Sequence, residues 1–290
     1  MGNNAIGVDI GGTKIQVALV NQEKGIMDKI IIPTLPETGG EDISFRISKT
    51  IKEILEKHQT QAIGIGIGTA GQISNDGIIK SATDVFSNWV NFPLKTTLES
   101  LTGLHTQVIN DVQAMALGEY RYGLKYENMI SLAMGTGVGG AIISEGTLIR
   151  GEKGAAGELG HLLLKPSGRR CPCGNFGCVE AYLSGPALER EYKSITNEFK
   201  SAQAIFSSTD SLAQALVNDF LQDLITTCTT LTNIFSPEAI ILSGGVANSL
   251  SPYIDFIEEN VQRRVLKINK DIKIKQSELL ADAMILGAAS

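Results

Sequence analysis

The sequence is poor in the features that mark several protein classes. Only four of its 290 residues are cysteine and three are histidine. A disulfide-stapled secreted scaffold would need cysteines spread along the chain and a leader. The N-terminal stretch MGNNAIGVDIGG has no charged n-region and no long apolar core. No window reaches the ~18 uninterrupted apolar residues of a membrane span. Net charge is −6, and Lys and Arg are scattered apart from pairs such as Arg169–Arg170 and Arg263–Arg264, so there is no basic footprint for nucleic acid. The G-x-x-x-x-G-K-[ST] phosphate loop is missing, as is a G-x-G-x-x-G that opens a helix. What remains is a globular, cytoplasmic protein of about two domains, with an ordinary 43% hydrophobic content.

The few cysteines are concentrated. Cys171, Cys173 and Cys178 crowd into one short stretch, and His161 lies shortly before them. One imidazole and three thiolates make a closed tetrahedral zinc set, with no open position for a hydrolytic water. Gly174 and Gly177 supply tight turns between the ligands. A disulfide staple is the competing reading. Glu158 and Glu180 flank the block, so an ion gripping it would hold two carboxylates in place. That suits a metal that builds a pocket more than one that performs chemistry.

Two glycine turns follow one plan. Strands at Ile6–Ile10 and Ile15–Val20 flank Gly11-Gly12-Thr13-Lys14, and a third strand covers Ile26–Ile32. Strands at Ile130–Met134 and Ala141–Ser144 flank Gly135-Thr136-Gly137-Val138-Gly139-Gly140, with a third at Thr147–Ile149. Strand, glycine turn, strand, turn, strand occurs twice, which reads as a duplication at domain scale. A bare turn offers backbone N–H groups and a hydroxyl to phosphate, and a facing pair would clamp a nucleotide between two lobes. Asp9, at a strand end, could address Mg²⁺ or the attacking group. A plain hairpin is the alternative for either turn alone. Gly244-Gly245, after a strand at Ala239–Leu242, is placed to approach the nucleoside.

Helical spacing covers Asp42–Glu56, Leu94–Thr102, Val112–Tyr122, Ser184–Phe206 and Leu212–Phe235. Ala62–Gly68 alternates Ile and Gly, which permits close backbone approach. Asp111 sits where a strand ending at Val108-Ile109 passes into a helix; it is either the helix N-cap or a catalytic base. Cys228 belongs to a core, and His58 and His105 receive no role. Small residues in Ala281–Ala289 suit a closely packed helix. The expected division is a first lobe of residues 1–110, with 281–290 packing back on it, and a second lobe of 111–280.

Together Asp9 to Lys14, Gly135 to Gly140, Gly157-Glu158-Leu159-Gly160-His161 and Cys171-x-Cys173-Gly174-x-x-Gly177-Cys178-x-Glu180 resemble the signatures of the ROK sugar kinases, in order and spacing over essentially the whole chain. The resemblance implies an α/β, actin/hexokinase-like (ribonuclease H-like) fold of two duplicated lobes and an ATP- and Mg²⁺-dependent sugar kinase, usually a homodimer. It makes Asp111 the general base and Gly71, Thr83, Asn110, Glu158, His161 and Glu180 the sugar's contacts, His161 also ligating zinc. Residues 88–120 resemble bacterial N-acetylmannosamine kinases, with Gln113 where many glucokinases carry Asn; Thr69-Ala70-Gly71 departs from the glucokinase pattern. Glu158 argues the other way. N-acetylmannosamine, phosphorylated at the 6-hydroxyl, is therefore favoured over glucose and N-acetylglucosamine. A sugar-responsive repressor of the same family would need a DNA-binding domain ahead of Asp9, and a non-catalytic sugar sensor would be expected to have lost Asp9, Asp111 or a glycine turn.

Overall fold

Alternation along single strands decides what each face of the first sheet can accept. In β1 (Asn4–Ile10), Ile6, Val8 and Ile10 enter one core, together with Ile15, Val17 and Leu19 of β2 (Lys14–Asn21). Ile43, Ile47, Ile51 and Ile54 of α1 (Gly39–Lys57) close that core at helical spacing. The opposite face is built from small residues. Ala5 and Ala18 meet Ile285 and Leu286 of α9 (Ala283–Ala288). The structure is a computed structural model that describes residues 3–82, 86–279 and 282–290.

The chain forms two compact units, residues 1–125 with 148–156 and 278–290, and residues 126–147 with 157–277. The first unit carries a five-stranded sheet of order β3-β2-β1-β4-β7, with β3 at Gly25–Pro33, β4 at Ile65–Thr69 and β7 at Thr106–Asn110. Its first three strands form an antiparallel meander, and β4 and β7 run parallel to β1. A two-stranded ribbon, β5 (Gln72–Ile73) with β6 (Ile79–Ser81), and α2 (Leu94–Thr102) complete this unit with α3 (Asp111–Tyr122). The sequence-based division put α3 in the second lobe, whereas the helix packs on α9 within the first unit. A linear boundary does not show that residues 148–156 return to join it.

The second unit repeats the order. Its sheet runs β10-β9-β8-β11-β12, from Thr147–Leu148, Val138–Ser144, Met129–Met134, Ala239–Ser243 and Lys273–Gln276. Again β8 and β9 are antiparallel, and β11 and β12 join in parallel. The same strand order in both units is the duplication that the two glycine turns announced. Short α4 (Glu180–Leu183) precedes α5 (Gly185–Thr196) and α6 (Ala202–Phe206). The helix expected over Ser184–Phe206 is thus two, because Asn197 turns left-handed at φ +60° and the Ser201 side chain caps a fresh start. α7 (Ser211–Phe235), capped by Asp210, threads the core with Phe220, Leu224, Cys228 and Leu231 buried, and α8 (Ile254–Arg264) packs on it. Among the described residues no helix is long and apolar enough to cross a membrane.

The alternating Ile and Gly of β4 now have a reason. Ile65 and Ile67 face the α1 core, while Gly66 faces α9 so closely that a Cβ would fall on the Ala288 carbonyl oxygen. We expect Gly66→Ala to cost about 2–3 kcal/mol, because backbone meets backbone and cannot rotate away. Urea unfolding followed to completion measures it, and wild-type stability would show that α9 is not packed at this depth.

Candidate active site

Parallel strands bring the first set of residues to one edge. The register pairs Asp9 with Gly68, Ile10 with Thr69 and Thr69 with Asn110. Asp9, the turn Gly11–Lys14, Gly71, Asn110 and Asp111 therefore stand at or just beyond the carboxyl ends of neighbouring strands, where open α/β sheets take their ligands. Gly11 to Lys14 turns directly from β1 into β2 and leaves Gly12, Thr13 and Lys14 exposed. No neighbour lies within 4 Å of where a Gly12 Cβ would stand, so the turn is open toward solvent.

Asp9 is buried, and burial pushes its carboxyl above the ordinary carboxylate range; the nearby charge of Asp111 pushes the same way. Gln16 opposes this by donating its amide to Asp9 Oδ2 at 2.8 Å. Gln16 was not singled out from sequence, although the hairpin register that pairs it with Asp9 can be counted back from the turn.

The start of α3 settles which residue caps it. Asn110 Oδ1 accepts the N–H groups of Val112 at 2.8 Å and Gln113 at 3.4 Å, while Gln113 Oε1 accepts the Asn110 N–H. This capping box makes Asn110 the cap and leaves Asp111 at the first helical position. Burial raises the Asp111 pKa, although Asp111 Oδ1 accepts the Val112 N–H at 2.9 Å. Asn110 Nδ2 donates to the Gly71 carbonyl at 3.0 Å, and Gly71 takes φ +108°, where a Cβ would strike Ser81. Gln113 is buried, and its amide donates to the carbonyls of Gly154 at 3.1 Å and Ala156 at 3.3 Å. Its identity follows from capping and loop anchoring, which weakens it as a sign of substrate. Thr83 lies outside the described residues.

The second unit has its own edge. The turn between β8 and β9 is held from three sides: Gly135 N–H donates to Gly137 O, Gly185 N–H donates to Gly135 O, and Val138 N–H donates to Glu180 Oε2 at 2.9 Å. Thr136 is exposed and Gly139 half-buried. A Cβ on Gly137 would come within 2.6 Å of that same Glu180 oxygen. Ser243 pairs with Ala133, so the Gly244-Gly245 turn emerges beside this one, with Gly244 at φ +88°.

Glu180 also borders the cysteine block, its Oε1 lying 3.8 Å from Cys171 Sγ. The donor atoms of His161, Cys171, Cys173 and Cys178 all lie within 4.8 Å of one another. Cys173 Sγ and Cys178 Sγ are 3.7 Å apart, and Cys171 Sγ is 3.8 Å from His161 Nδ1. A disulfide needs about 2.05 Å between sulfurs. Tetrahedral ligands about 2.3 Å from one ion stand close to 3.8 Å apart, so the block has the dimensions of a metal site. Gly174 at φ +96° and Gly177 at φ +80° make its turns, as their spacing suggested. Glu158 immediately precedes the helical turn Leu159–His161, and its carbonyl accepts the His161 N–H.

A cavity of about 850 Å³ lies elsewhere, between α1 and α2, lined by Phe45, Leu55, Leu101 and Leu104. It holds none of these residues, so it is not the site.

Comparison with known proteins accords with this geometry. The family model described as "ROK family" matches residues 5–290. A glucokinase of Thermotoga maritima is 32% identical over 305 residues, covering 98% of this chain and 96% of its own. An N-acetylmannosamine kinase of Vibrio cholerae is 32% identical over 291 residues, covering 98% and 97%. A solved ROK hexokinase from Thermus thermophilus superposes with a TM-score of 0.90 at 31% identity, covering 99% of this chain and 96% of its own. The fold is therefore the actin/hexokinase-like one, and with the family model matched from residue 5 to the last, the chain belongs to the ROK family.

Proposed function

We propose that this ROK-family sugar kinase transfers the γ-phosphoryl group of ATP to the 6-hydroxyl of N-acetylmannosamine, with Asp111 as general base. The observation that carries the reading is the start of α3. Asn110 closes the capping box, so Asp111, one oxygen of which also accepts the Val112 N–H, is not the cap. Asp111 then accepts the hydroxyl proton as the oxygen attacks phosphorus, and phosphoryl transfer demands little else but positioning and charge stabilisation. The turns Gly11–Lys14 and Gly135–Gly139 would hold the phosphates by backbone N–H groups, and Gly244 and Gly245 would border the nucleoside. Asp9 would orient a nucleotide-bound Mg²⁺, whose charge neutralises the phosphate oxygens when bound. Asn110, Glu158, His161 and Glu180 would take the sugar's hydroxyls, and Gly71 and Thr83 are further proposed contacts of the sugar. Zn²⁺ fits the four-ligand block and would fix the geometry of its loop. With His161 Nδ1 turned to the cysteines, Nε2 is left for the sugar. Cytoplasmic residence and a homodimer complete the reading.

Glucose is the second reading. The glucokinase and N-acetylmannosamine kinase relatives are both 32% identical, and Glu158 is present. Support for N-acetylmannosamine comes from residues 88–120 and Thr69-Ala70-Gly71.

Replacing Asp111 with Asn is expected to lower kcat/KM by at least about 10³-fold with the melting temperature retained. In the wild type, kcat/KM should be full at high pH, where Asp111 is ionised. It should fall as pH drops through a pKa that burial has raised above the ordinary carboxylate value. The coupled ADP-release assay reads both; near-normal turnover by Asp111→Asn rejects the base assignment.

Metal analysis of freshly purified protein should find one zinc per chain. Cys173→Ser or a strong chelator should remove it and raise the KM for sugar. Zinc-free protein with full activity would refute the metal reading.

Across N-acetylmannosamine, N-acetylglucosamine, glucose, mannose and fructose, N-acetylmannosamine should give the highest kcat/KM. A clear preference for glucose selects the second reading, and silence across the whole panel with ATP and Mg²⁺ would favour a non-catalytic sugar sensor.

A further inference from the structure

A backbone turn that binds phosphate must point its N–H groups outward, and that requires something to hold its carbonyls inward. In a trans peptide, the carbonyl of one residue and the N–H of the next point in opposite directions. Fixing the Gly11 carbonyl therefore aims the Gly12 N–H, and fixing the Thr13 carbonyl aims the Lys14 N–H. One residue does both. Thr34, just beyond β3, is fully buried; its hydroxyl donates to the Gly11 carbonyl at 2.6 Å, and its own N–H donates to the Thr13 carbonyl at 3.0 Å.

Thr34 is itself braced. The Arg46 guanidinium donates to the Thr34 carbonyl and, at 2.5 Å, to the Pro33 carbonyl. Arg46 is steadied by Asp42 Oδ2 at 2.7 Å from its Nε, one turn earlier on α1. A connected path thus runs from the first turns of α1 through Thr34 to both carbonyls of the glycine turn. The Thr34 hydroxyl serves no cap and no strand ladder; what it holds is the orientation of one exposed peptide.

We propose that Thr34 is a positioning residue for ATP, which orients the Gly11–Lys14 turn so that its N–H groups meet the nucleotide's phosphates. This rests on the reading of that turn as a phosphate site. Thr34 touches no substrate and acts only through the peptide planes it pins.

The test compares Thr34→Val, which keeps the shape and the backbone N–H but loses the hydroxyl, with Thr34→Ser, which keeps the hydroxyl. Gly12→Asp serves as the reference, since it places a carboxylate on the open face of the turn. Losing the partner of a buried carbonyl is expected to raise the KM for ATP about tenfold in Thr34→Val. The KM for sugar should stay near wild type, and Thr34→Ser should restore the KM for ATP. A general loosening of the fold would instead raise both KM values together, which overturns the proposal, as does a Ser variant no better than Val. If Gly12→Asp raises the KM for ATP and Thr34→Val leaves it unchanged, the phosphate reading stands and the role of Thr34 falls. If Gly12→Asp changes nothing, the phosphate reading falls and takes the proposal with it. Should Thr34→Val not yield folded protein, Thr34→Ala supports the same comparison without a misplaced methyl.

Discussion

The first sheet can accept helices closely on one face because glycines stand on that face at the points of closest approach. Gly7 and Gly66 lie on neighbouring parallel strands, in register with their partners and beneath the backbone of α9. Gly118 of α3 meets the Ala283 carbonyl in the same manner, and Gly287 of α9 meets the Ala114 carbonyl. The separation of these backbones, set by absent Cβ atoms, fixes how deep α9 and α3 sit. The depth of α3 in turn fixes where its first turn, with Asn110 and Asp111, stands relative to the strand ends. The position of the candidate base is thus governed by glycine-to-backbone packing well below it, and packing of this density transmits small changes in volume.

The two glycine turns solve one problem with different means. In the first unit a threonine side chain and its N–H take the turn's carbonyls. In the second, Gly185 N–H at the start of α5 takes the Gly135 carbonyl, and Glu180 takes the Val138 N–H. Duplication accounts for the shared strand order. It does not dictate the bracing, because each unit inserts different segments behind its turn.

Local signals were readable from the sequence and long-range ones were not. Both glycine turns, with their flanking strands, stood out because alternating apolar runs bounded them closely. The His/Cys cluster was readable because its three cysteines are near neighbours, and tight spacing forces them to converge. The strand-to-helix junction at Asn110-Asp111 is legible in the sequence, whereas the choice of cap rests on the reciprocal bonds of Asn110 and Gln113; the N-x-x-Q pattern at 110–113 is the signal that carries it. The break at Asn197 was missed because periodicity alone runs through it. The membership of α3 in the first unit is not legible from a linear division at the β7–α3 junction, because it rests on the packing of α3 against α9. Thr34 and Gln16 have no motif of their own: each matters through a backbone or carboxylate partner that only register and burial reveal.

Glu180 ties the cysteine block to the glycine turn of the same unit. Its Oε2 accepts the Val138 N–H of the glycine turn, while its Oε1 lies against Cys171. The turn's conformation and the cysteine block are thus joined by a single carboxylate. An ion gripping Cys171 would fix the backbone that leads through Cys178 to Glu180 and so fix the carboxylate. The carboxylate in turn would fix the peptide at Val138. Such a metal would act on the glycine turn and on the Glu180 carboxylate at once, through covalent spacing and one hydrogen bond. This accounts for the close placement of Glu180, two residues after the last cysteine: a longer spacer would let the carboxylate move independently of the metal, and the coupling would be lost.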